Sequence, residues 1–194
     1  VVIAYTSIYG NTKKAVFALA DALKAKGCPK VVVNDLARSD MAEAVEDAFR
    51  HSKMVLATTT YNGDIFPFMK EFINHLTERN FQNRTVALIE NGSWSPNAIK
   101  VMKDMLASCK NLKYTQASVK ILSSLNDESY LQLENLAKEL TVDYVKKEVV
   151  FKNDLKALSN VGYGLYVITT NDGLKDNGVI VNAVTQVTNT PNRF

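Results

Sequence analysis

Val1–Thr12, VVIAYTSIYGNT, decides how the rest of the chain is read. Four apolar residues, two valines and an isoleucine among them, run into Tyr5, and the pattern then breaks into Thr6, Ser7, Tyr9, Gly10, Asn11 and Thr12. That is a buried strand ending in a polar turn. Ala15, Val16, Leu19, Ala20 and Leu23 follow at helical spacing, so the turn is also a helix start. A strand, a hydroxyl-rich loop and a helix N-terminus in that order make an anion pocket, because unpaired N–H groups converge there and the helix dipole favours negative charge. The plainer alternative is a helix cap, with Asn11 or Thr12 as N-cap.

The next segments repeat the theme. Gly27 and Pro29 stop the first helix, and Lys30 to Leu36, with Val31, Val32 and Val33, reads as a second strand. Met41 to Phe49 is a short amphipathic helix. Met54 to Thr58 is a third buried strand, continued by the polar loop Thr59, Thr60, Tyr61, Asn62, Gly63, Asp64, and Pro67 opens the next helix. Thr85 to Ile89 is a fourth strand, with the exit loop Glu90, Asn91, Gly92, Ser93, Trp94, Ser95 before a helix from Asn97 to Ser108. Tyr114 to Leu122 makes a fifth strand and Glu128 to Val145 the last helix of this series.

Strands alternating with helices imply a parallel sheet covered on both faces. The expected fold class is α/β, a three-layer sandwich with a five-stranded parallel sheet, for which the order 2-1-3-4-5 is chosen among the few that right-handed crossovers leave, followed by an incomplete antiparallel β segment. Ligands bind such sheets at the carboxyl ends of strands beside the switch point. The polar loops follow strands one, three and four, which are neighbours in that order. His51 and His75 fall on helices away from these loops and read as surface or packing residues.

The pocket lacks both the lysine of a phosphate-binding P-loop and the spaced glycines of a dinucleotide fingerprint. It offers hydroxyls and amides to a single phosphate instead. SIYGNT resembles the phosphate loop of flavodoxins. With TTTYNG (Thr58–Gly63) and NGSWS (Asn91–Ser95), the chain from Val1 to about Leu140 resembles the flavodoxin family and, within it, the flavodoxin-like domain of flavodiiron proteins. The resemblance implies FMN as cofactor. Its phosphate would be held by Ser7, Tyr9, Asn11 and Thr12 with the amides of Ile8 and Gly10. Thr59, Thr60, Tyr61, Asn62 and Gly63, and Asn91, Gly92, Ser93 and Trp94, would flank the isoalloxazine ring. Tyr61 and Trp94 are the stacking aromatics, the Asn62–Gly63 peptide lies near the flavin N5, and backbone donors from Asn91 to Trp94 reach the pyrimidine edge. Pro96, close behind Trp94, departs from the family's glycine-richer third loop.

The 194 residues suffice for one domain and part of another. Hydrophobic residues make up 46% and charged residues 22%, ordinary for a globular protein. A net charge of +3 from scattered basic residues gives no reason to expect nucleic acid as a partner, although free-standing flavodoxins are acidic as a family. An electron carrier tethered to its partners would not need a strong steering field. No apolar run is long enough to cross a bilayer and no basic leader precedes one, so the expectation is a cytoplasmic protein without membrane contact. Cys28 and Cys109 share no metal or redox spacing. Val1 lies already inside a strand, which reads as a piece of a longer polypeptide.

Three segments are expected: 1–145, flavodoxin-like and FMN-binding; 146–154, a linker; and 155–194, the start of another domain. Leu155 and Leu158 suggest a short helix, Gly162 to Thr170 an antiparallel strand, Asn171-Asp172-Gly173 a hairpin turn, and Gly178 to Val187 its partner. Leu158–Thr170 with Asn177–Pro191 resembles the opening of a flavin reductase domain of the FMN-binding split-barrel type. That resemblance implies a flavin-lining role for Asn182, Ala183, Val184, Thr185 and Gln186. Some 40 residues cannot close a barrel, so either the remainder lies beyond Phe194 or the strands pair with another copy in a homo-oligomer, and an edge should be open to pairing.

The implied function is an FMN-dependent electron-transfer module of a multidomain flavoprotein. It would take electrons from a flavin reductase, NAD(P)H-fed side and pass them to a reducing centre outside the chain. In flavodiiron proteins that centre is a diiron site in a β-lactamase-like domain that reduces oxygen or nitric oxide. The alternative is a flavodoxin-like NAD(P)H:quinone oxidoreductase, although no inserted loop is present. A receiver-type signalling module would need paired carboxylates after strand one and an aspartate ending strand three, where Thr6-Ser7 and Thr58-Thr59 stand.

Overall fold

The computed structural model describes residues 1–144, 166–171, 173, 175–182, 188, 189, 192 and 193. By internal contacts the chain divides into two compact units, Val1–Lys147 and Glu148–Phe194. In the first unit the elements are β1 (Val2–Tyr5), α1 (Asn11–Ala25), β2 (Val32–Asp35), α2 (Met41–Arg50), β3 (Lys53–Tyr61), β4 (Asp64–Ile65), α3 (Pro67–Glu78), β5 (Thr85–Asn91), α4 (Ala98–Met105), β6 (Lys113–Tyr114), β7 (Val119–Ile121) and α5 (Asp127–Thr141). The sheet runs β2-β1-β3-β5-β6, with β7 also beside β5 and β4 paired to β3. All these pairings are parallel except the β3–β4 hairpin. Counting β6 and β7 as one interrupted strand gives the expected 2-1-3-4-5 order, with helices on both faces.

Alternation along the strands builds the two cores. Val1, Ile3 and Tyr5 of the first strand region, with Val55, Ala57, Ala87 and Ile89, pack with α1 and α5. Val2, Ala4, Met54, Leu56, Val86 and Leu88 pack on the opposite face with α2, α3 and α4. Side chains two apart share a face, and both faces are covered, so continuous apolar runs are what these strands require. Burial of each large side chain contributes roughly 1.5–3 kcal/mol. Tyr5 adds a polar tie, its hydroxyl donating to Asp35 Oδ2 at 3.0 Å. Burial, then that carboxylate, pushes the phenol up to about 12.

The ends of the elements follow from local chemistry. α1 closes in a Schellman motif, with Cys28 N donating to Leu23 O (3.0 Å), Gly27 N to Lys24 O (3.0 Å), and Gly27 at φ +83. Asp40 caps α2 through Ala42 N and Glu43 N, and Asn126 caps α5 through Ser129 N.

Several boundaries differ from the sequence expectation. β3 does not stop at Thr58 but runs to Tyr61, and Asn62 (φ 51) with Gly63 (φ 73) makes a two-residue hairpin turn to Asp64. The helix after β5 ends at Met105 in a 3-10 turn, Leu106–Ser108. The expected strand Tyr114–Leu122 is two pieces, because the Glu139 carboxylate of α5 takes the amides of Gln116 (2.8 Å) and Ala117 (2.9 Å) out of the ladder. α5 itself stops at Thr141 rather than Val145.

In the second unit β8 (Tyr166–Asn171) and β9 (Asp176–Val181) form an antiparallel hairpin, and β10 (Thr188–Asn189) pairs with β11 (Asn192–Arg193). The hairpin register pairs Asn171 with Asp176, so the partner strand begins two residues before Gly178 and its connection is longer than a tight turn. Val167, Ile168, Val179 and Ile180 are exposed. The linker 146–154, the short helix at Leu155–Leu158, residues 162–165 of the first strand, and Ala183, Val184, Thr185 and Gln186 lie outside the described residues.

Candidate functional site

The carboxyl ends of β1, β3 and β5 meet at one side of the sheet, and an open cavity of about 170 Å³ lies between the segments that leave them. Ser7, Ile8, Tyr9, Asn11, Thr12, Thr59, Thr60, Asn91, Gly92 and Ser93 line it, together with Ser123. Ten of the fifteen sequence-predicted residues are therefore brought to one wall system. Gly10, Tyr61, Asn62, Gly63 and Trp94 are not in that lining. Ser123, missed from sequence, leaves β7 at φ 71. Its signal was the Ser123-Ser124 pair at a fourth polar strand exit beside β5.

The first loop is built around Ser7. Gly10 is the N-cap of α1, in the left-handed region at φ 88 that glycine adopts without strain, and no side chain caps the helix from that position. This replaces Asn11 or Thr12 as the cap, because both are already helical. Ser7 Oγ accepts from Gly10 N (3.1 Å) and Lys13 N (3.2 Å), while Lys14 N donates to Gly10 O (2.9 Å). Two consequences follow. The Gly10 amide is engaged by Ser7 rather than offered to a guest, whereas Ser7, having accepted twice, keeps its own hydroxyl hydrogen to donate. The amides of Asn11 and Thr12 open the helix without intrahelical acceptors.

Behind the wall the polar atoms are tied across the sheet. Thr6 Oγ1 and Thr58 Oγ1 are 2.6 Å apart between β1 and β3. Asn91 Nδ2 donates to Thr12 Oγ1 (3.4 Å) and Ser123 O (3.2 Å), so its side chain is turned inward, and Gly92 N donates to Ile121 O (3.0 Å). Gly92 is also close-packed: a Cβ there would lie 3.1 Å from Pro96 Cβ and 3.4 Å from Thr60 Cβ. Glu90, buried beside Asn91, accepts from Ile99 N at 3.0 Å and so caps α4. Thr59 Oγ1 is the exception on the cavity wall, buried and without a partner among the described residues.

The aromatic candidates stand outward. Tyr9 is 91% and Trp94 89% exposed. Tyr61 is half-exposed and edge-on to Phe66, with centroids 5.5 Å apart. Tyr61 and Asn62 line a separate hollow with Asp64, Lys70 and Asn74. Among the described residues the cavity lining carries no charged side chain, and its field comes from the α1 N-terminus. A site of hydroxyls, amides and one helix start suits a compact anion rather than acid–base chemistry. Among the described residues no cluster of three or more His, Cys, Asp or Glu could hold a metal, and no helix is long and apolar enough to cross a membrane.

No family model matches the chain. Nitric oxide reductase of Moorella thermoacetica is 27% identical over 109 residues, which is 56% of this chain. The anaerobic nitric oxide reductase flavorubredoxin of Escherichia coli is 28% identical over 101 residues, 51% of this chain. The aligned parts span 27% and 21% of those curated relatives. Among solved structures, rubredoxin:oxygen oxidoreductase of Desulfovibrio gigas superposes with a TM-score of 0.68 at 20% identity, covering 74% of this chain and 35% of that one. The flavodoxin of Streptococcus pneumoniae TIGR4 gives 0.63 at 23% identity, covering 73% of this chain and 97% of that one. The fold is flavodoxin-like α/β.

Proposed function

We propose that this chain carries FMN and transfers electrons within a multidomain flavoprotein of the flavodiiron kind. One observation carries the reading: neutral donors line a single cavity at adjacent strand exits, with the first residues of α1 in its wall and Thr59 Oγ1 buried there without a partner among the described residues. A phosphomonoester fits that donor set. It would accept from the Asn11 and Thr12 amides and the Ser7 hydroxyl, and its charge would face the helix dipole. Thr59 Oγ1 would gain a polar neighbour in the ribityl chain, which removes the cost of leaving a buried hydroxyl unpaired.

Ligands of drug size fill roughly 300–1,000 Å³. A cavity of about 170 Å³ therefore takes the phosphate and the chain, and leaves a ring at the rim. Trp94 and Tyr61, both outside that lining, are exposed flat surfaces and are proposed to cover the ring and exclude water. Gly63, free of a Cβ, lets the hairpin turn approach closely. Bound FMN supplies reversible one- and two-electron chemistry at its ring; the residues hold it, orient it and shield it.

The names of the curated relatives, nitric oxide reductase and flavorubredoxin, support a terminal reduction of nitric oxide elsewhere in such a protein; a diiron centre as its site, and oxygen as a second acceptor, are proposed from the resemblance to flavodiiron proteins. The segment from Leu155, with its resemblance to flavin reductases, is proposed as the donor side, and the compartment as the cytoplasm. Titration of the purified chain with FMN, riboflavin and FAD tests the cofactor. FMN should bind, and riboflavin should bind far more weakly for want of the phosphate. Absence of FMN binding, or equal affinity for riboflavin, would overturn the proposal.

A further inference from the structure

Asn97 stands at the N-cap position of α4, yet its side chain makes no cap bond. An asparagine there ordinarily accepts from the second or third amide of its own helix. Glu90 Oε2 already does this, taking Ile99 N at 3.0 Å. The Asn97 side chain is thereby released, and its Nδ2 donates instead to Gly63 O at 2.9 Å, in the turn of the β3–β4 hairpin. Its backbone N–H donates to Thr60 Oγ1 at 3.0 Å, in the same hairpin. Its Oδ1 is buried with no partner among the described residues.

One residue therefore joins the segment that leaves β5 to the β3–β4 hairpin by two bonds. The amide orientation is fixed, since Gly63 O accepts and cannot receive a second carbonyl oxygen. The orphaned Oδ1 is a local cost, and an apolar side chain at this position would not incur it. Asp64, in the same hairpin, accepts from Lys70 Nζ of α3 at 2.5 Å.

We infer that Asn97 is a positioning residue: it clamps the hairpin turn to the 92–97 segment, whose Gly92 and Ser93 line the cavity, and fixes the direction of the Gly63 carbonyl. This rests on the FMN reading for its consequence but not for the clamp itself. A turn whose carbonyl is already engaged is not at liberty to serve a ring at the rim, so the bond to Asn97 competes with whatever the Gly63 peptide would offer a flavin. Releasing it should change the potential at which the flavin takes electrons, which a merely structural contact would leave alone.

The test uses the whole 194-residue chain and two variants, Asn97→Ala and Asn97→Asp. The second keeps the backbone bond and the side-chain shape but replaces the donor with an oxygen, and it serves if the first fails to fold. Without FMN, amide hydrogen exchange across residues 60–65 should be about fivefold faster in both variants, the weight of one neutral hydrogen bond. With FMN, the dissociation constant should rise about fivefold and the midpoint potential should move in both. Unchanged exchange overturns the clamp. Faster exchange with an unmoved potential and affinity overturns the positioning role. If the native chain does not bind FMN, the flavin reading fails, and the exchange data alone decide whether the clamp exists.

Discussion

The two ends of the parallel sheet treat their polar atoms in opposite ways. Where the strands begin, Lys53 is buried and its Nζ donates to Leu140 O at 2.8 Å and Asp143 Oδ2 at 2.9 Å, 4.5 Å from the centre of the Tyr144 ring. Nearby, Arg84 reaches the carbonyls of Phe49, Gln82 and Asn83, with only its Nε unpartnered among the described residues. Where the strands finish, Ser7 Oγ only accepts, from two amides, and Thr59 Oγ1 is buried without a partner among the described residues; these atoms and the first amides of α1 are the ones proposed to meet a guest. One end is tied to its own chain and the other is held open by a frame of internal bonds. The difference teaches where stability and binding reside in a sheet whose strands are otherwise uniformly apolar.

Four changes would break or sharpen that contrast. Lys53→Ala should have the largest effect, lowering stability by about 2–3 kcal/mol through the lost partner of the Leu140 carbonyl and the lost packing on Tyr144. Urea unfolding measures it, and FMN affinity should stay as it was. A matching loss of affinity would mean that the two ends are not separable.

Ser7→Ala acts at the open end. It removes the acceptor of two amides as well as a donor to the phosphate, so stability should fall by about 1 kcal/mol and FMN affinity about tenfold. Calorimetric titration against thermal unfolding separates the two. An unaltered affinity would return Ser7 to the role of a cap alone.

Thr59→Val is smaller and has opposite signs in the two measurements. Removing an unpaired buried hydroxyl should leave stability within about 0.5 kcal/mol of the native value or raise it, while FMN binds about fivefold more weakly. Weaker unfolding resistance together with native affinity would show that the hydroxyl serves the fold.

The acid limb gives the slightest effect. The Lys70 ammonium donating to Asp64, with the Ile65 amide, holds the Asp64 carboxyl below its ordinary range. Its folded pKa is depressed, so the pair contributes above the ordinary aspartate range, and that contribution fades as pH falls through the folded value. Hydrogen exchange in the β3–β4 hairpin should rise on acidification in the native chain and less so in Lys70→Met. Identical profiles would remove this pair from the hairpin's support.

Much of the site was legible because it follows from local pattern. The runs Val1–Tyr5, Met54–Thr58 and Thr85–Ile89 are apolar on both faces, so they had to be covered parallel strands, and their polar continuations had to lie at one end. The extent of β3 was not legible: Thr59–Tyr61 look like loop until Asp64–Ile65 pair back on them across the Asn62–Gly63 turn. Nor was the break between β6 and β7, which depends on Glu139 from a helix twenty-odd residues away. Ser123 was passed over because one strand exit ending in serines looks ordinary by itself.

The sequence alone settled that the apolar runs are covered strands alternating with helices and that their exits are neutral and hydroxyl-rich, since periodicity and residue type are written along the chain; which side chains face which core came from the structure. Which polar atoms remain unpaired was decided by tertiary structure. Asn91 finds Thr12 across 79 residues and Asn97 finds Gly63 across 34. A hydrogen bond is satisfied by whatever the fold brings within about 3 Å, and no spacing in the sequence announces that distance.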